Sequence, residues 1–280
     1  MVIETFYEIF FYGVDEMQFT VIGGDKRFEI LKRLLISEGH TISLDSHIII
    51  LPLPLTRDGV TLNAPLDPET INLSDIIDIA DEGDIFFGGL VPPDFASKIN
   101  AAGALIFDYN KRDSFAELNA IPTAEGALMI AIEATDFSLY DAECLISGYG
   151  KIGKVLANYL KALGAKVTVS ARKKADLEYA EKCGINHILT DQIGDYIDKF
   201  SIIFNTVPHR IFTPETINMI KSDALYIELA SAPYGADFDL LAAAEIRYIN
   251  APSLPARVAP VTASKNILNT INEIIREEFL

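Results

Sequence analysis

The chain has 280 residues, half of them hydrophobic, and a mean hydropathy of +0.24. That composition supplies two buried cores and excludes a disordered chain or a disulfide-stapled miniprotein. With 23 Lys and Arg against 40 Asp and Glu, the net charge is −17. The acidic excess argues against nucleic acid or an anionic membrane as the main partner, and leaves room for a small anion held by local cations.

In chain order, residues 18–23 form a short β-rich run that breaks at Gly23-Gly24-Asp25. Residues 28–38 follow with helical spacing of Ile30, Leu31, Leu34 and Leu35. A strand at 47–51 leads into a stretch rich in Pro and Gly, and its 52–55 segment, like 86–91, is expected to be an exposed apolar loop. Residues 73–80 read as helix, 84–87 as strand, 95–101 as helix and 104–107 as strand. This alternation predicts βαβ units on a parallel sheet, and residues 1–121 are read as a flavodoxin-like substrate domain.

Residues 123–135 have the pattern of a buried helix that links two domains, with Thr123 as N-cap and Glu125 and Gly126 in its first turn. The second half then predicts strands at 143–147, 166–170, 200–205, 225–228 and 247–250, with helices at 151–163 and 174–183. A final amphipathic helix, 262–279, is expected to pack back towards the first domain. The domains are thus read as 1–121 plus 262–280, and 122–261. The overall class is α/β with a flavodoxin-like and a Rossmann domain.

Cys144 lies in an apolar strand and reads as a small core hydrophobe, and Cys183 completes no cluster. His40, His47, His187 and His209 are scattered without zinc-ligand spacing, so no metal is expected. Glu4, Glu8, Asp15 and Glu16 stand where a signal peptide would be basic. No apolar stretch is expected to reach the roughly 20 residues of a membrane span. A cytoplasmic location without membrane attachment is the expectation.

The strongest motif is Gly148-Tyr149-Gly150-Lys151-Ile152-Gly153, a G-x-G-x-x-G directly after a strand and opening a helix. In that setting the first glycine permits the turn, the second lets backbone approach a pyrophosphate, and the third lets helix pack on sheet. The helix N-terminus offers free N–H donors and a positive dipole end. An NAD site would place a carboxylate at the end of the next strand. Here that strand ends Ser170-Ala171-Arg172-Lys173-Lys174, a hydroxyl and three cations, which favours the 2′-phosphate of NADP. Asn205-Thr206-Val207-Pro208 and Ser231 follow later strands and are candidate cofactor contacts, while His209 is a candidate acid or base.

These stretches, with Val21-Ile22-Gly23-Gly24-Asp25, Ile121-Pro122-Thr123-Ala124-Glu125-Gly126, Leu254-Pro255 and Val258-Ala259-Pro260, resemble the A-subunit family of dipicolinate synthase, an enzyme of endospore formation. The resemblance spans nearly the whole chain. It implies oxidation of dihydrodipicolinate to dipicolinate with NADP, alongside a flavoprotein-like B subunit, in the mother cell of a sporulating bacterium. Departures fall at Ala232, Tyr234 and Ala256-Arg257, on the substrate side. A cyclic dicarboxylate needs anion clamps, and Arg57 and Arg257 occupy loop positions suited to that task. Gly24, Asp25, Thr123 and Glu125 complete the candidate substrate residues; a homo-oligomer is left open. The alternatives are a dehydrogenase acting on 2-hydroxyacids or shikimate, or a partner subunit that binds NADP without catalysing.

Overall fold

A computed structural model describes residues 16–280; Glu4, Glu8 and Asp15 lie outside the described residues. The chain divides into two units, one running to Asn119 and resuming at Ala259–Leu280, the other Ala120–Val258.

The first unit is built on strands β1 (Gln18–Val21), β2 (Thr41–Ile42), β3 (Ile48–Ile50), β4 (Ile85–Gly88) and β5 (Leu105–Asp108). They are all parallel, in the order β2-β1-β3-β4-β5. That is the flavodoxin-like order, which carries its crevice at the carboxyl ends of the strands. The central strands are buried on both faces, as a sheet covered by helices on each side requires. Alternate residues divide between two cores: Ile48, Ile50 and Phe87 face one, Ile49, Leu51 and Phe86 the other.

Helices α1 (Lys26–Ser37), α2 (Leu73–Asp78) and α3 (Pro93–Ala101) cover the sheet. On one face α1 lays Phe28, Leu31 and Leu35 into the core. The loops expected to be exposed are not: Leu53, Leu55, Phe86 and Phe87 are buried, because their side chains fill the two cores, and Leu90 is the exposed exception.

Helix α4 (Asp113–Ala134) overturns the expected N-cap: it begins ten residues before Thr123, which lies inside it. Pro122 cannot donate to the helix ladder. The helix nevertheless continues, because Phe115 is buried on one side of the proline and Ala124, Ala127 and Ala131 on the other. At 22 residues it is also long and apolar enough to cross a bilayer, which corrects the expectation that no such stretch exists; half of its most apolar window is buried within the protein.

The second unit adds β6 (Glu143–Ser147), α5 (Lys151–Ala162), β7 (Lys166–Ala171), α6 (Lys174–Lys182), β8 (Asn186–Leu189), β9 (Ile202–Asn205), α7 (Pro214–Asn218), β10 (Leu225–Glu228), α8 (Phe238–Ala243), β11 (Arg247–Asn250) and α9 (Leu254–Val258). All pairings are parallel and the order is β11-β10-β9-β6-β7-β8, the doubly wound Rossmann arrangement. Strand β8 escapes a reading by apolar runs because it is an edge strand only half buried.

The last helix, α10 (Pro260–Phe279), belongs to the first unit. Its Ile267, Leu268, Ile271, Ile274 and Ile275 repeat at helical spacing and enter the core that holds Phe28, Leu31 and Leu35. Ser264 Oγ donates to the Arg27 carbonyl at 2.7 Å, tying α10 to the start of α1.

Candidate functional site

In the second unit, β6 delivers the chain into the glycine turn. Gly148 has φ +95°, and its N–H donates to the Ser170 carbonyl at 2.9 Å. A Cβ there would stand 2.5 Å from Thr206 Oγ1. A Cβ on Gly153 would stand 2.2 Å from the Gly148 carbonyl oxygen, so α5 can approach the turn only through glycine. Gly150 differs from both. Its φ is −80°, open to any residue, and nothing lies within 4 Å of the Cβ it lacks. Among the described residues no contact calls for glycine there.

Gly150 is the N-cap of α5 and brings no side chain of its own to the first turn. Lys151 and Ile152 follow in that turn, half buried.

A cavity of about 170 Å³ opens beside the turn, lined by Gly148, Tyr149, Arg172, Lys173, Val207 and His209. Ala171 and Asp176 also border it. Asp176 is faced by Lys154 at 3.8 Å, whose ammonium lies over the Tyr149 and Tyr179 rings. Arg172 and Lys173 are exposed at the rim. A second cavity, of about 360 Å³, shares Arg172, Thr190 and Ile211 with the first and adds Leu189 and Asp191. Burial pushes the Tyr149 phenol up to about 12, so at neutral pH it contributes ring and hydroxyl but no charge.

Two expected cofactor contacts need correction. The Ser170 hydroxyl is fully buried inside β7, a strand covered on both faces, and lines neither cavity beside the turn. Asn205 is fully buried and spends its amide internally: Nδ2 donates to the Val207 carbonyl at 2.9 Å and to Glu228 Oε1 at 2.6 Å, and Oδ1 accepts from the Val207 N–H at 3.2 Å. His209 lines the cavity of Arg172 and Lys173. Thr206 Oγ1, donating to the Ser147 carbonyl at 2.8 Å, pins its segment over the glycine turn. The exposed Pro208 stands beside it.

Glu228, which ends β10, lies at the carboxyl end of the sheet and is not among the candidates that the sequence offered. Its signal is a carboxylate closing an otherwise apolar strand, LYIE. It is fully buried and accepts from Asn205, Tyr226, Ala230 and Gly235. Burial pushes its carboxyl above the ordinary glutamate value, with the four donors pulling the other way. Ser231 is exposed in the turn beyond it.

In the first unit, Gly24 at φ +96° is glycine because a Cβ would meet the Phe28 ring at 2.4 Å. Asp25 caps α1 and is paired by Arg27: Nε to Oδ1 at 2.9 Å and Nη2 to Oδ2 at 2.8 Å. Burial raises the Asp25 carboxyl, but the hydrogen bonds and charge of Arg27 outweigh it and hold the group below the ordinary aspartate value. Its carboxylate is therefore already committed within the protein. Arg27 is itself buried and also donates to the Leu53 carbonyl.

Arg57 is exposed at a cavity of about 400 Å³, with Nε donating to Asn63 Oδ1 at 3.2 Å. Asn63 Nδ2 donates to the Pro54 carbonyl at 3.1 Å, which orients the amide that accepts from Arg57. Arg257 lies on the short helix α9 of the second unit rather than in a loop, and is exposed. Thr123 is buried on α4 and Glu125 is exposed.

Residues 127–251 match the family model described as D-isomer specific 2-hydroxyacid dehydrogenase, NAD binding domain. With the glycine turn in place, the second unit is a nicotinamide-dinucleotide-binding domain of the oxidoreductase type. Over 93% of this chain and 96% of the relative, the sequence is 28% identical to the dipicolinate synthase A subunit of Bacillus subtilis. The chain is akin to the A subunits of dipicolinate synthases.

The likeness holds in three dimensions. The crystal structure of the dipicolinate synthase A subunit from Bacillus halodurans superposes with a TM-score of 0.85 at 25% identity, covering 92% of this chain and 97% of that one. Its B. subtilis counterpart gives 0.84 at 27% identity, covering 93% and 96%. A transhydrogenase from Sinorhizobium meliloti shares the fold, with a TM-score of 0.68 at 14% identity and 92% and 94% coverage.

Proposed function

We propose that this chain is the A subunit of a dipicolinate synthase, oxidising dihydrodipicolinate to dipicolinate with NADP as hydride acceptor. The observation that carries the cofactor half is the cavity that runs from Gly148 to Arg172 and Lys173, two rim cations with no carboxylate where NAD would want one. The kinship to dipicolinate synthase A subunits carries the substrate half.

In this reading the bound cofactor supplies a nicotinamide ring that takes two electrons as hydride, and a proton leaves to solvent as the substrate ring becomes aromatic. The chain supplies placement. The N–H groups opening α5 hold the pyrophosphate, and the empty space before Gly150 admits it. Arg172 would stack on the adenine and, with Lys173, would pair the 2′-phosphate. His209 joins that end of the site, as a wall of the same cavity. Arg57, hydrogen-bonded to Asn63, is assigned to a substrate carboxylate by a two-pronged contact. A B subunit is the expected partner, as the naming of the relatives implies.

Titration of the purified protein with NADPH and NADH, read by nicotinamide fluorescence, tests the cofactor. Tighter binding of NADPH supports the reading, and binding of neither nucleotide refutes it. Production of NADPH from NADP and dihydrodipicolinate, with and without the B subunit, tests the reaction. Turnover only with the partner assigns essential groups to that partner. No turnover in either case, with NADPH bound, leaves a cofactor-binding subunit of another enzyme.

A further inference from the structure

A buried carboxylate is costly unless its surroundings are arranged for it, and apolar residues of similar size would serve packing alone as well or better. Glu228 is such a group, at the carboxyl end of β10 and in register with Asn205 at the end of β9. Oε1 accepts from Asn205 Nδ2 at 2.6 Å and from the Ala230 N–H at 2.9 Å. Oε2 accepts from the Tyr226 hydroxyl at 2.9 Å and from the Gly235 N–H at 2.9 Å. All four neighbours donate, so the site is built for an acceptor-only anion.

What the anion holds is the backbone of two loops. Through Asn205 it reaches both the N–H and the carbonyl of Val207. Through Ala230 and Gly235 it closes the 230–235 turn, which carries the exposed Ser231. Gly235 lies so close to Asn205 that a Cβ would stand 2.4 Å from its amide, and its carbonyl accepts from the Ile211 and Phe212 N–H groups, both at 3.0 Å. In a doubly wound sheet, loops beyond the carboxyl ends of the strands form the ligand crevice. Arg172 and Lys173 mark the adenosine end of that crevice beyond β7, on one side of β6; β9 and β10 lie on the other.

Resting on the dinucleotide reading above, we propose that Glu228 is a positioning residue for the nicotinamide half of the cofactor. Its carboxylate fixes the 230–235 turn, and that turn receives the nicotinamide; the Val207 segment, tied to it through Asn205, lines the cavity of Arg172 and Lys173 at the adenosine end.

The test compares NADPH with 2′,5′-ADP, which carries the adenosine half alone, by titration calorimetry on the full chain. Wild type, Glu228→Gln and Asn205→Ala are measured, with a melting curve for each. The glutamine places an N–H₂ against donors, and the alanine cuts the tie to Val207 while leaving the carboxylate in place. The expected result is a Kd for NADPH raised tenfold or more in Glu228→Gln with 2′,5′-ADP bound as in wild type within twofold, whereas Asn205→Ala, which frees Val207 at the adenosine end, weakens both ligands alike. Equal weakening of both ligands by Glu228→Gln, unchanged NADPH binding in it, or its failure to fold would overturn the proposal and leave Glu228 a fold-holding group. If wild type binds neither ligand, the dinucleotide reading itself fails.

Discussion

The carbonyl oxygen of Gly148 lies 2.2 Å from where a Cβ on Gly153 would stand, whereas the missing Cβ of Gly150 faces empty space. The two outer glycines of the motif are thus demanded by the protein, and the middle one is left to the proposed cofactor. Gly153→Ala is expected to destabilise the second unit by about 1–3 kcal/mol through overpacking against backbone. Gly150→Ala is expected to melt as wild type while its Kd for NADPH rises at least about tenfold, or roughly 1.4 kcal/mol. Thermal melts and fluorescence titrations of the two variants check both halves.

Arg172 and Lys173 stand at one rim, so the preference for NADPH over NADH is expected to depend on them. Loss of a charge-assisted contact is worth about 2 kcal/mol, roughly thirtyfold in Kd. Arg172→Ala is expected to lose that much NADPH affinity with a smaller effect on NADH. The wild-type preference is expected to shrink between low and high salt, because an exposed ion pair is screened.

Asp25 is held below its ordinary value by the buried Arg27. A carboxyl depressed on folding stabilises the protein above the unfolded value of 3.8, and that contribution is lost as pH falls through the folded value. Asp25→Asn leaves the Arg27 charge buried and unpaired, at a cost of about 3 kcal/mol near pH 7. The deficit relative to wild type is expected to close as pH drops below 3.8. Denaturant unfolding at pH 7, 4 and 3 measures it; a deficit that stays constant with pH would count against the pairing.

Ile271 is fully buried where α10 meets α1. Ile271→Ala is expected to cost about 2–5 kcal/mol by the deleted methyl groups and the cavity they leave. Ile36→Ala, at an exposed site on α1, is the control and is expected to stay within about 0.5 kcal/mol. Urea denaturation of the two variants measures the difference.

Much was legible in the chain itself. Strand-and-helix alternation, apolar runs of strand length and the isoleucines and Leu268 of the last helix dictate an α/β protein whose C-terminal helix is amphipathic, because period alone decides which faces can be buried. The G-x-G-x-x-G turn and the Arg172-Lys173 pair were equally local, since their chemistry depends on neighbours a few residues apart. What the sequence could not decide were partnerships over distance. Asn205 reads as a ligand contact until Glu228, 23 residues on, is seen to occupy its amide. Arg27 stands two residues from Asp25, yet only the fold buries its guanidinium and so commits the Asp25 carboxylate that the sequence offers to substrate. Thr123 reads as a helix start until packing on both sides carries α4 through Pro122. Sequence determines what each residue is able to do, and only tertiary structure decides which capacities are consumed within the protein, because burial strips away water and forces each polar group to find its partner inside.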